Sequence, residues 1–250
     1  MEDPILAGLV GLRDAGPSRA CDLVVSQLRE LIVDGRLAPG SRLPPERELA
    51  LRFQTSRATI SQALRVLSAL GLVDIHHGSG VYVSPQPDRL LRQSVELMLG
   101  FDRPSLIRLV EARGWMEVAA VARAAEVAGP ADVAAIREAY EALAAERDSV
   151  ERWLGHDVVF HRAILVATGN TFVVTLLSPV LELMVSARVV NYRRAGAPAW
   201  FGGADLEALV DLHRRIADAV GSGDATAARA LGEEHQLRLI EHVADLDPAA

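Results

Sequence analysis

The sequence predicts a mainly α protein in two parts: a small N-terminal helical unit closed by a pair of strands, and a C-terminal all-α bundle of about seven helices. Three observations carry this. Half of the 250 residues are hydrophobic but only 4% are aromatic, and alanine and leucine dominate, which favours helix packing over stacked sheets. Short extended apolar runs separated by glycines occur between Leu72 and Ser84. After Pro87 no stretch alternates with the period of a strand, and apolar residues recur at helical spacing. A chain of this length accommodates two domains, each with its own core.

Residues 1–17 show no periodicity and read as a loose arm. Their apolar run, ILAGLVGL, follows acidic Glu2 and Asp3, where a signal peptide would carry positive charge. From Ser18 the pattern becomes helical, with Val24, Leu28, Leu31 and Ile32 on one face and Gly35 as its stop. Ala38 to Ser41 form a turn. Pro44 and Pro45 open a second helix, whose positive end suits Glu46 and Glu48, with Leu49, Ala50 and Phe53 inward. Thr55 or Ser56 caps a third, with Ile60, Ala63, Leu64, Leu67 and Leu70 inward and Gly71 ending it. Arg57, Ser61, Gln62 and Arg65 are left outward. Leu72 to Ile75 and Val81 to Ser84 then read as strands joined through His77-Gly78-Ser79-Gly80, whose glycines permit positive φ.

Residues 18–84 are therefore expected to form a winged helix-turn-helix. If its third helix enters a major groove, Arg57 reaches a base edge or phosphate, Ser56 and Thr59 bond phosphate, Gln62 reads adenine, and Arg65 lies on the same outward face. His77 and Gly78 let the hairpin approach the backbone of the duplex. An arginine-bearing helix face is also an ordinary solvated surface; the agreement of helix spacing and strand pair favours nucleic acid. The net charge of −7 does not oppose this, because residues 1–84 hold nine Arg against nine acids, while the remainder holds seventeen against twenty-four. All the cations are arginine, whose planar fork suits phosphate and guanine.

The order SQLRELIVDGRLAPGSRLPPERELA, TSRATISQALRVLSALGLV, HHGSGVYV resembles the DNA-binding domain of the GntR family of bacterial transcription regulators over about residues 18–84. The resemblance implies DNA contacts from Arg47, Ser56, Arg57, Thr59, His77 and Gly78. Where many members carry a third arginine two residues after this threonine, this chain has Ser61.

Two prolines in SPQPD make 85–92 a linker, and 93–245 is expected to be an all-α effector-binding and dimerisation domain. No uninterrupted apolar stretch there approaches a membrane span. The only cysteine, Cys21, excludes an internal disulfide and fits a reducing cytoplasm. In VERWLGHDVVFHRAILVATG, Leu154, Val158, His161 and Leu165 share one stripe, with Asp157 one turn before His161. His213 lies among Leu206, Leu209, Ile216 and Val220, and His235 between Leu231 and Leu239, each on an apolar face. A single inward histidine is usually a satisfied core residue. Three of them with an aspartate, on three helices, share their burial cost if a divalent metal lies between them. Three nitrogens and one oxygen suit zinc, nickel, iron or manganese.

Asp157 to Asn170, His213 to Ala228 and the position of His235 resemble the C-terminal ligand-binding domain of FadR-like GntR regulators, the FCD type, over about residues 104–243. That resemblance implies a metal held by Asp157, His161, His213 and His235, completed by a small carboxylic acid, in a homodimer that binds a pseudo-palindromic operator and most often represses. LVEAR at Leu109 to Arg113 matches the family's opening helix. It makes Arg113 a candidate for the effector's carboxylate, against a plain ion pair with Glu111 or Glu117; Arg188 and Asn191 are further candidates. His156-Asp157 is also the HD dipeptide of metal-dependent phosphohydrolases, so a hydrolase with an accessory DNA-binding module is the rival reading. His156, however, points off the Asp157–His161 face.

Overall fold

The computed structural model describes residues 16–76, 78–84, 89–101 and 105–244. The chain divides into two compact units, Met1–Leu90 and Leu91–Ala250.

In the first unit, α1 (Pro17–Val33), α2 (Glu46–Arg52) and α3 (Arg57–Ala69) precede β1 (Val73–His76) and β2 (Gly80–Val83). Val24, Leu28, Leu49, Phe53, Ile60, Leu64 and Leu67 form one buried cluster, as the helical spacing predicts, whereas Leu70, expected inward, is exposed at the end of its helix. Pro45 stands just outside α2 as its N-cap; a ring without an N–H costs nothing there. Ser56 caps α3, its Oγ accepting from the Thr59 amide at 3.0 Å. Gly71, at φ 69°, ends the helix in the left-handed region. β1 and β2 pair antiparallel from Val73 opposite Val83 to His76 opposite Gly80.

The wing has a third edge that the sequence reading did not anticipate. The Leu43 amide donates to the Val81 carbonyl and the Val83 amide to that of Ser41, and Arg42 bridges Tyr82. One bridging residue between a turn and two prolines is too short to show alternation.

In the second unit, α4 (Arg89–Phe101), α5 (Ser105–Val127), α6 (Pro130–Ala145), α7 (Val150–Ala167), α8 (Thr171–Ala195), α9 (Gly203–Gly221) and α10 (Ala225–Ala244) follow one another. Arg89 to Arg92, expected in the linker, are already helical, and residues 85–88 lie outside the described part. The main core joins Trp153, Leu154, Phe160 and Ile164 of α7 to Leu209, Leu212, Ile216 and Val220 of α9, with Ile136 and Leu143 of α6. Glycines set α5 against α10. A Cβ at Gly114 would stand 1.8 Å from the Gln236 side chain, and one at Gly232 would stand 2.9 Å from Val121.

By length and mean hydropathy, 1.8, α8 is apolar enough to cross a membrane, although Glu182 and Arg188 interrupt its apolar run. One face of it packs inward, with Leu177, Val180, Leu181, Met184 and Arg188 buried, while Phe172, Leu176 and Val190 are exposed.

Candidate metal centre and nucleic-acid interface

α7 is placed from its N-terminus. Glu146 accepts from the amides of Asp148 and Ser149 at 2.8 and 3.0 Å and from Arg152 at 2.7 and 3.1 Å. The bonds from Arg152 foremost, then those from the amides, draw its carboxyl down to about 2. One helical turn then separates Asp157 from His161, both on the buried face.

Across from them, α9 contributes His213 and α10 contributes His235. The four ligand atoms lie within 4.8 Å of one another, and all four residues are buried. Two ligands on opposite sides of one transition metal are about 4.2 Å apart at bond lengths of about 2.1 Å, so small side-chain adjustments bring this set to bonding distance.

Donor accounting supports a cation. Nδ1 of His213 is 2.8 Å from the Leu209 carbonyl, which can only accept, so that nitrogen carries the proton and a neutral ring presents the Nε2 lone pair. Nε2 is 3.0 Å from Asp157 Oδ1. Burial alone would raise the Asp157 carboxyl, but the imidazoles of His161 and His213 outweigh it and hold the group well below the usual carboxylate range. A lone pair and a carboxylate at that distance need a positive charge between them: a second proton on the ring, or a metal. His235 is pushed well below its ordinary value by burial first, then by the neighbouring histidines, so it stays neutral, as a ligand must.

Glu117 is the partner that the ion-pair reading of Arg113 offers, and its contact with His161 is what the sequence does not show. It is nearly buried, with Oε1 3.4 Å from His161 Nδ1 and Oε2 accepting from Arg113 Nε at 2.8 Å. Glu117 Oε1 makes no hydrogen bond among the described residues, but it lies on the Nδ1 side of His161, whose Nε2 is 3.5 Å from Asp157 Oδ1. The position of Glu117 four residues after Arg113 was the available signal.

Arg113 thus makes the intrahelical pair with Glu117. Its Nη2 and the Nε of Arg188, both buried, have no hydrogen-bond partner among the described residues. Arg188 lies over the Trp200 ring at 5.5 Å, in a small space shared with Asp157, His235 and His242. Asn191, half-buried, follows three residues on in the same helix. On the other side of the cluster, Gly114, Glu117, His161, His235 and Gln236 line a cavity of about 20 Å³, room for about one water. His156 is half-buried and stands outside the four-residue set, so the HD dipeptide supplies one ligand rather than two.

On the N-terminal unit, Arg47, Arg57, Gln62 and Arg65 are exposed, with Arg65 donating to Ser61 at 3.0 Å. Thr59 is buried, and its hydroxyl lies 2.8 Å from that of Ser56. It therefore braces the start of α3, and the Ser56 hydroxyl it touches is the exposed one. Gly78 adopts φ 83°; His77 lies outside the described residues. Arg42, missed in the sequence, flanks the wing beside Gly80 and over the Tyr82 ring at 6.0 Å.

Residues 22–83 match the family described as bacterial regulatory proteins of the gntR family, and residues 108–238 match the FCD domain. The chain is 31% identical over 212 residues to the galactonate operon transcriptional repressor of Escherichia coli, covering 83% of this chain and 89% of that protein. It is 28% identical over 202 residues to the HTH-type transcriptional regulator LutR of Bacillus subtilis, covering 80% and 90%. A solved structure, Streptococcus agalactiae GntR, superposes with a TM-score of 0.70 at 22% identity, over 88% of this chain and 99% of that one, which shows the shared fold.

Proposed function

Since the chain belongs to the gntR family of bacterial regulators and carries an FCD domain behind its DNA-binding unit, we propose a metal-dependent, carboxylate-responsive transcription regulator. The protein is a DNA-binding regulator and not an enzyme, and regulators of this family bind operators and typically act as dimers. Nothing in the family or among the relatives favours the hydrolase reading. Its site of action is the cytoplasm, where its DNA is.

The finer reading rests on one observation: two buried guanidinium groups with unpartnered N–H bonds flank a buried Asp-His-His-His cluster. An unmatched donor on a buried charge costs about 1–3 kcal/mol or more, and a carboxylate is the planar anion that a guanidinium matches. Asp157, His161, His213 and His235 would hold the metal, which supplies Lewis acidity and open positions for an acid's oxygens. Arg113 and Arg188 orient that acid, and Asn191, three residues beyond Arg188 on α8, is the remaining candidate. One relative is named for the galactonate operon, and galactonate is itself a carboxylate.

Because the cavity at the cluster holds about one water, an organic acid is accommodated only if α5 or α10 shifts or Gln236 turns. Movement of helices that carry the cluster gives the effector different affinities for two arrangements of the dimer, which is the requirement for coupling to DNA binding. On the DNA side, Arg57, Gln62 and Arg65 face the major groove, Arg47 and Ser56 face phosphate, Thr59 supports Ser56, and Gly78 turns the wing, with His77 a further candidate contact. Repression, released by the acid, is the proposed sign.

Metal analysis of protein purified without chelator, followed by melting against a panel of hydroxy and sugar acids, tests this reading. We expect stoichiometric transition metal and an acid that raises the melting temperature only of the metal-loaded protein. Protein without bound metal, which takes up none when it is supplied, refutes it.

A further inference from the structure

We propose that the Arg188 side of the cluster is a second anion subsite, so that the effector is a dicarboxylic acid, an inference that rests on the carboxylate-responsive reading above. Arg113 and Arg188 are the buried arginines among the described residues, at 1% and 3% exposure. They are neighbours: Arg113 Nη1 lies 3.9 Å from the Met184 sulfur, and Arg188 follows Met184 by one turn of α8. Their partners differ. Arg113 holds the Glu117 carboxylate at 2.8 Å, whereas Arg188 rests over the Trp200 ring, a weaker match for its charge.

Three features ask for an anion beside Arg188. First, unpartnered donors gather there. The Nε of Arg188 and the Nε1 of Trp153 have no hydrogen-bond partner among the described residues, and both residues line the small space that reaches Asp157 and His235. Trp200 packs on Trp153 at 5.5 Å and on Tyr192 at 6.4 Å, and its Nε1 and the Tyr192 hydroxyl are unpartnered in the same sense. Second, the space is about 10 Å³, room for at most one water, which accepts fewer bonds than the roughly four that a carboxylate accepts. Third, the charges leave room for a dianion. Asp157 and Glu117 offset the two guanidinium groups, so a divalent metal held by the cluster brings an excess of two positive charges. A monocarboxylate removes half of that excess and a dicarboxylate all of it, and uncompensated buried charge is costly.

Trp200 governs entry to this subsite. It stands on the loop between α8 and α9, which is bounded by Gly196 at φ 93° and Gly202 at φ 136°, and its ring stacks on His242 at 4.8 Å. A loop that turns at these two glycines swings the indole off Arg188 and frees the guanidinium fork. One carboxylate of the acid then takes the Arg113 side, and the other pairs with Arg188 and accepts from Trp153.

The test is calorimetric titration of the full-length, metal-loaded protein with malonate, succinate, glutarate and adipate against butyrate and galactonate, with tryptophan emission followed in parallel. At least one dicarboxylate is expected to bind about tenfold or more tighter than either monocarboxylate, the fold-change of one charge-assisted contact. It should also shift the emission of wild type by more than that of Trp200→Phe. Arg188→Gln should bring the two classes of acid near parity, and Arg188→Lys, which keeps the charge but not the fork, should retain part of the preference. Trp153→Phe removes only an N–H from a buried ring and should weaken dicarboxylate binding several-fold with the fold intact. Circular dichroism and metal content are measured on every variant. A wild type that binds a monocarboxylate as tightly as every dicarboxylate overturns the second subsite. So does a preference that survives both Arg188→Gln and Trp153→Phe, which then belongs to chelation at the metal. Either result leaves the carboxylate-responsive reading standing, whereas protein that takes up no metal overturns that reading itself.

Discussion

Replacing Asp157 by Asn isolates the negative charge of the centre without changing its shape. In the wild type one carboxylate oxygen serves two imidazoles, at 3.0 Å from His213 and 3.5 Å from His161. The amide of Asn keeps the volume and can donate to the His213 Nε2 lone pair, so under chelator the variant should melt within a few degrees of wild type. Loaded with metal, the two should diverge. At metal a thousandfold above its dissociation constant, binding stabilises by about 4 kcal/mol, and a hundredfold loss of affinity leaves about 1.4 kcal/mol. A hundredfold is the upper end for losing a group that merely supports a ligand, so it is conservative for the ligand itself. At roughly 2–4 °C per kcal/mol for a domain of this size, the metal-induced rise in melting temperature should shrink by about 5–11 °C. The assay is a pair of thermal melts, with chelator and with excess zinc or manganese, on both proteins. Equal metal-induced shifts would refute the assignment of Asp157 as a ligand.

Three further outcomes follow from the same geometry. Arg57→Ala should abolish discrimination between operator and random DNA while leaving the helical signal unchanged, because the side chain is exposed; an unchanged specific affinity removes α3 as the reading helix. With chelator present, stability should fall on acidification. His235 is depressed from its ordinary 6.5 and Asp157 is also depressed, so the unfolded chain takes up more protons than the native one. The melting temperature should hold above about pH 7 and drop as His235 begins to matter below it; a flat or rising profile contradicts the buried neutral ring. Phe53→Ala, at a fully buried position in the first unit, should cost that unit about 3–5 kcal/mol. Metal binding by the second unit should survive; a common loss of both would contradict their independence.

Much of this protein is legible along the chain because the information is local. Helical periodicity marked the buried faces of α1, α3 and α7, Gly71 marked a stop, and Ser56 marked a cap, each within a few residues of its effect. Asp157 and His161 could be paired because an interval of four residues makes them neighbours on any helix, and His213 and His235 stood out as polar groups on apolar stripes. What tertiary structure decided is what those residues meet. Thr59 turned inward to brace Ser56, Arg42 joined the wing, and Glu117 became the link between Arg113 and His161. The glycines at 114 and 232 brought α5 onto α10 and reduced the space at the cluster to about one water. These outcomes depend on the angle and separation at which helices distant in sequence pack. A helix's own periodicity carries its buried face, but neither the partner that will cover it nor how close that partner will come.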